Sequence, residues 1–135
     1  MPTAGDIEEI TWNHPTLGTG TVYCKVNEDA THDAGNYRSE DDASMLDTGG
    51  RMIDKMNKVR WSLEATVTWD MNDSEELEKM VALSSSPVLT EFTWSHVSGS
   101  TYKGTGKPVG DLQGNLNAAT FTLKLAGGGE VEKIS

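Results

Sequence analysis

Between Lys58 and Asp70 apolar and polar residues alternate without interruption. Val59, Trp61, Leu63, Ala65, Val67 and Trp69 take one parity, and Lys58, Arg60, Ser62, Glu64, Thr66, Thr68 and Asp70 take the other. A period of two places successive side chains on opposite faces of a strand. The stretch therefore predicts one long strand of about 12 residues in an antiparallel sheet with one apolar and one wet face. Just before it, Met52, Ile53 and Met56 in "RMIDKMNK" predict a partner strand that ends in a turn at Asn57. "IEEITWN" (7–13) and "TGTVYCKV" (19–26) read as two further strands joined by the turn residues of "HPTLG". "VLTEFTWSHV" (88–97) carries Val88, Thr90, Phe92, Trp94 and His96 on one side, turns at "SGS", and returns as "TYKGTGKPV". "NAATFTLKLAG" points Ala119, Phe121, Leu123 and Leu125 inward, and residues 127–135 read as a flexible tail or terminal arm.

One helix is predicted, over residues 72–84. Asn72 or Asp73 would cap it, Glu75, Glu76 and Glu78 favour its positive end, and Leu77, Met80 and Val81 form its apolar stripe. Pro87 stops it. Residues 27–50 break both periodicities: seven acids, one Arg and little apolar signal. A loop of that length without structure of its own is uncommon inside a compact domain, and marks either a solvated segment or a functional arm. Tyr37, Met45 and Leu46 are apolar anchors that solvation alone would not need, and "ASMLD" could form one helical turn. The whole chain, 1–135, is expected to be a single domain, mainly β with one helix.

Composition narrows the function. Hydrophobic residues make up 36%, mean hydropathy is −0.48, and no apolar run approaches the roughly 20 residues of a membrane span. The start, "MPTAGDIEEI", carries acids where a signal peptide would be basic and then apolar. Cys24 is the only cysteine, so no internal disulfide can form and an intracellular folding site is expected. In "TVYCKV" it reads as a buried, inert thiol. The net charge is −10, and residues 1–50 hold 10 acids against 2 bases. Such a surface repels nucleic acid and excludes specific DNA binding, but suits a conduit past which DNA moves without sticking.

The chemical motifs fail on inspection. "GTGKPVGDLQGN" (104–115) has a Gly-Lys pair, but Thr101 stands where a phosphate loop needs its first Gly and Pro108 where it needs Ser or Thr. Val109 breaks the dinucleotide pattern, so a bent or bulged strand is expected. Asp70, Asn72 and Ser74 start like a calcium loop, but Glu75 replaces its Gly and Val81 its Glu. The Asn72-Asp73-Ser74 sequon reads as chance. His14, His32 and His96 lie in a turn, an acidic loop and a strand without metal-ligand spacing, and no serine sits in a nucleophile elbow. No enzyme activity, metal or cofactor is expected.

The alternating strand "NKVRWSLEATVTWD", the helix "SEELEKMVAL" and the closing run "YKGTGKPVGDLQGNLNAATFTLKLAGGG" together resemble the tail tube proteins of long-tailed bacteriophages, especially those with contractile tails. Residues 50–128 carry the likeness; the first strands and the 27–50 loop agree in placement. The resemblance implies two packed antiparallel β-sheets forming a sandwich or barrel, a flanking helix and a long inter-subunit loop. It implies homohexameric rings stacked into a hollow tube, as in contractile bacteriocins and type VI secretion machines. Genomic DNA would pass through the lumen into the host without specific binding, in a virion tail assembled in the bacterial cytoplasm. Partners would be the chain itself, then sheath, baseplate or tail-tip, tape-measure and terminator proteins. On this reading Glu28, Asp29, Asp33, Tyr37, Glu40, Asp41, Asp42, Met45 and Leu46 form the arm that meets the next ring, with Arg51, Lys55, Lys58, Lys103 and Lys107 as basic counterparts. Lys58, Arg60, Ser62, Glu64, Thr66 and Thr68 are the candidate lumen-facing residues. The alternatives are a β-sandwich module binding carbohydrate or protein, its tryptophans stacking sugars if exposed, and another virion subunit such as a decoration or tail-terminator protein.

Overall fold

The computed structural model describes residues 2–72 and 75–135. In chain order the strands are β1 (Ile7–His14), β2 (Gly18–Val22), β3 (Thr31–Asp33), β4 (Asn36–Ser39), β5 (Met56–Val59) and β6 (Trp61–Thr68). After helix α1 (Glu76–Ser85) come β7 (Thr90–His96), β8 (Thr101–Pro108), β9 (Gly114–Asn115), β10 (Thr120–Gly127) and β11 (Glu132–Lys133). All pairings between them are antiparallel. The fold is mainly β with one helix, as expected: β4 and β5 form a small sheet, and nine strands form a large one, in the order β2-β1-β7-β8-β10-β6-β3, with β11 against β8 and β9 against β10.

That sheet bends back on itself because β8 serves both halves. Thr101–Gly106 pairs with Thr90–Ser95 of β7, and Lys107 and Pro108 pair with Ala126 and Leu125 of β10. At the change of partner a side chain on Gly106 would lie 2.1 Å from the Ala126 carbonyl oxygen, so only glycine fits. The glycine-rich stretch at 104–108 is thus strand, as expected once the phosphate-loop and dinucleotide patterns fail. On the far side the chain beyond β2 crosses over: Lys25 donates to the Thr66 carbonyl and Thr68 to the Tyr23 carbonyl, and Cys24 bridges Val67. The sheet is closed, which removes most exposed strand edges.

Inside lies one core. Ile10, Trp12, Phe92 and Trp94 from one half meet Trp61, Leu63, Val67, Phe121, Leu123 and Leu125 from the other. The Trp61 and Trp94 rings lie 5.5 Å apart, and the buried Trp61 N–H donates to the Thr105 carbonyl. Helix α1 follows β6 and adds Met80 and Leu83 to the same core. It starts later than the sequence suggests. Its N-cap is Glu75, in a left-handed conformation (φ 51°) and without a side-chain cap bond. Asn72 instead lies in a turn, its N–H donating to Asp70 Oδ1, while the alternative cap Asp73 lies outside the described residues. The stripe shifts too: Val81 is exposed and Leu83 buried, and Glu76 is also buried, its carboxylate accepting the Asp70 N–H.

Three further expectations change. The predicted strand over 58–70 breaks at Arg60, and Val59 falls outside the core. Met52 and Ile53 form no partner strand for it: Met56–Val59 pairs with Asn36–Ser39, inside the segment read as a loop. The tail is ordered: Val131 is buried, Glu132 and Lys133 pair with β8, and Ile134 donates to the Thr101 carbonyl.

Candidate functional site

Residues 36–59 form a two-stranded arm, β4 and β5, paired from Asn36↔Val59 to Ser39↔Met56 and hydrogen-bonded onward from Glu40 to the Lys55 carbonyl. Beyond that the chain turns back through a bridge between Leu46 and Met52. The arm shares no strand pairing with the large sheet. Its apolar side chains have no core to enter: Tyr37 is 51% exposed, Leu46 55%, Met52 71%, and Ile53, Met56 and Val59 are exposed as well.

Its root is tightly held. β3 pairs with the first half of β6, which leads the chain to Gly35. Gly35 is buried, has φ +82°, and bridges Glu130; a side chain there would lie 2.7 Å from the Gly129 carbonyl oxygen and 2.8 Å from the Trp61 nitrogen. Val131 donates to the Ala34 carbonyl, and Asn36 to the Glu130 carboxylate. The Asp33 carboxylate accepts the Gly35 N–H and the Arg38 guanidinium, and these hold its pKa below the usual carboxylate value.

The acids predicted to meet a partner are largely engaged at home. Asp42 accepts the Ser44 hydroxyl and N–H, which lower its pKa; Glu40 accepts from Asn57; Glu28 pairs with Lys25 at 3.0 Å. Asp47, which the sequence did not single out, organises the arm's tip. It accepts the Arg51 and Gly49 N–H groups and the Arg51 guanidinium, and its pKa falls accordingly. A carboxylate before Thr-Gly-Gly-Arg is a turn signal that could have found it. Asp29 and Asp41 remain exposed, as does Met45's neighbour Leu46, while Met45 itself is half-buried. Of the basic counterparts, Arg51 is held by Asp47, Lys103 stands 3.6 Å from Glu91, and Lys58 lies over the Tyr37 ring at 5.3 Å within the arm itself.

The lumen candidates divide at the break. Ser62, Glu64, Thr66 and Thr68 alternate with the buried residues of β6 and stand opposite Ala126, Lys124, Thr122 and Thr120 of β10. The face is rich in hydroxyls, and its Glu64 and Lys124 oppose each other. Lys58 belongs to the arm and Arg60 to the joint, so neither shares the face of β6.

Elsewhere, burial and hydrogen bonds occupy the side chains of chemical interest named in the sequence. Burial first, then Asp6, pushes the Cys24 thiol up to about 11, which keeps it protonated at neutral pH. His14 is buried: its Nε2 lies 2.9 Å from the Ser86 hydroxyl, and its Nδ1 accepts the Thr16 and Leu17 N–H groups. That links the β1–β2 turn to the end of α1. Trp12, Trp61 and Trp94 are buried, so they present no stacking platform for a sugar. Among the described residues no group of His, Cys, Asp and Glu is arranged to hold a metal, and no helix is long and apolar enough to cross a membrane. No protein-family model matches the chain, and no curated protein is significantly similar to it.

Proposed function

We propose that this protein is a self-assembling structural subunit of the tail-tube kind, whose hexameric rings stack into the hollow tail tube of a phage virion through which DNA is delivered. The arm carries this reading. A lone two-stranded hairpin is marginal in water, and this one displays Tyr37, Leu46, Met52, Ile53, Met56 and Val59 to solvent. Several exposed apolar side chains gathered on one projecting element favour an interaction site. Covering each half-exposed large side chain contributes on the order of 1 kcal/mol.

Position supports self-association. The arm's root adjoins the start of β6, and α1 follows its end. Eight residues of strand separate the two ends by about 26 Å. At the helix end Leu17, Val88 and Leu89 are exposed around the His14–Ser86 pair. Apolar patches at opposite ends of a subunit suit a head-to-tail contact, which builds a filament when it does not close. The closed sheet has a filled core and leaves its outer faces, including the hydroxyl-rich face of β6, free to line a bore.

Replacing residues 40–55 by Asn-Gly would join Ser39 to Met56 through a two-residue turn. The unaltered chain should give six-fold rings or tubes by electron microscopy at high concentration, and the shortened chain should stay folded without stacking. Stacked polymers from the shortened chain, or a unit that never assembles even on a tail-tip nucleus, would refute the reading.

A further inference from the structure

The arm is reached through β3, which is three residues long and pairs with Glu64–Ser62 of β6 at the end of the sheet. So short a ladder at a sheet edge holds little by itself. Its middle residue, His32, stands opposite buried Leu63 and packs edge-on against Trp94 and Tyr102, with ring centroids at 5.5 and 4.8 Å. The next residue, Asp33, holds the arm by accepting the Gly35 N–H and the Arg38 guanidinium. One ring thus fastens the strand that leads into the arm.

That fastening requires a neutral ring. The Trp94 N–H donates to His32 Nδ1 at 3.1 Å. An indole N–H can only donate, so Nδ1 keeps its lone pair and the neutral ring carries its proton on Nε2. The indole is 2% exposed, whereas the imidazole stays partly open to solvent, lining a cleft of about 390 Å³. Protons therefore reach the ring, but a proton on Nδ1 would face the indole proton and end the bond. Turning the ring outward would instead leave a buried donor without an acceptor, which costs free energy. Lost hydration, against a smaller opposing pull from Asp33, holds the His32 pKa below its usual 6.5.

The neighbouring charges do not replace this device. Glu28 and His96 line the same cleft, and Glu28 is paired with Lys25. On β8 Tyr102 touches the ring, and Lys133 of β11 pairs with Tyr102. Glu64 of β6 stands opposite Thr31, on the other face. The Gly35 N–H and then Arg38 keep Asp33 ionised into stronger acid, so its own grip on the arm does not respond in the same range.

We propose that His32 is an acid-sensitive latch on the arm: its protonation gives up the bond to Trp94 and loosens β3, and with it the arm, while the rest of the closed sheet stays folded. The latch stands apart from the tube reading, because it is read on the single chain at low concentration.

The test compares pH 7 with pH 5. In proton–nitrogen correlation spectra the Trp94 indole resonance should move while the α1 amides stay in place. Amide protection factors across residues 31–39 should fall at least about threefold. His32→Gln, which offers Trp94 an acceptor and does not titrate, should abolish both changes, and His96→Gln should leave them. An unmoved Trp94 resonance, unchanged protection at 31–39, an acid response kept in His32→Gln or lost in His96→Gln, or equal movement in α1 overturns the proposal. Should His32→Gln not fold, the unaltered chain decides: the Trp94 and 31–39 changes must share the midpoint of the His32 imidazole titration, and a different midpoint refutes the latch.

Discussion

Thr90 opens β7 with its side chain wholly buried, and its hydroxyl has no hydrogen-bond partner among the described residues. A buried hydroxyl without a partner costs free energy that its removal recovers. Thr90→Val should therefore stabilise the chain by about 1 kcal/mol, read as a higher urea midpoint at unchanged slope. His32 makes the opposite kind of contribution, one that depends on pH. Its pKa is lowered in the folded state, so the unfolded chain binds the proton more readily. The stability it contributes is complete above the unfolded value of 6.5 and is lost as pH falls through the lower folded value. Denaturant midpoints should drop between pH 7 and pH 5, and His32→Gln should flatten that window. Asp33, Asp42 and Asp47 act lower, since their depressed pKa values contribute stability above the ordinary 3.8 that is lost only in stronger acid. The sequence exposed the tryptophans' role through their parity but not the partners of His14 and His32. Those partners, Ser86 and Trp94, come from distant strands and loops that local periodicity does not encode.

Among the elements, β6 was legible because one of its faces is buried along its full length, and burial is what period two records. The break at Arg60 was not, because Val59 keeps the parity while facing the arm instead of the core. The arm itself hid for a related reason: a hairpin with no core behind it has no need of an alternating pattern, so it read as a loop. In α1 both Val81 and Leu83 fit a helical stripe near Met80, and only the direction of the sheet beneath decides for Leu83. Three glycines make residues 127–135 read as flexible, whereas Gly127 packs against the Thr105 carbonyl of β8, Gly129 takes a left-handed φ of +76°, and residues 128–131 then pass the arm's root, where Gly35 faces Gly129 and Val131 bonds Ala34. Ending the chain after Gly128 should therefore loosen the arm while sparing the far side of the sheet. Amide hydrogen exchange should rise across residues 34–39 and stay unchanged in α1. Equal protection at 34–39 in both chains would show that β3 alone holds the root.

For the whole molecule, a head-to-tail contact makes a strong demand: each subunit contributes two different surfaces. A chain shortened at 40–55 keeps only its helix end, and a chain carrying Leu17→Asp and Leu89→Asp keeps only its arm. Neither should polymerise alone. Mixed in equal amounts they should form pairs of stacked rings, one of each variant, and no longer stack, visible by sedimentation. Mixed ring pairs would place the contact between opposite ends, and a two-fold arm-to-arm contact would instead let the second variant pair its rings by itself.

The order of strands also governs timing. Ile10 pairs with Trp94 and Trp12 with Phe92, so β1 must wait for β7 to leave the ribosome, and β10 comes later still. The β4–β5 hairpin joins neighbours in sequence and closes in roughly 1–10 μs. Synthesis from Val59 to Gly127 takes several seconds at about 5–20 residues per second. Throughout that interval the hairpin can form before the barrel exists, so on the proposed head-to-tail contact an arm is ready on the nascent chain before the helix end it would meet has folded.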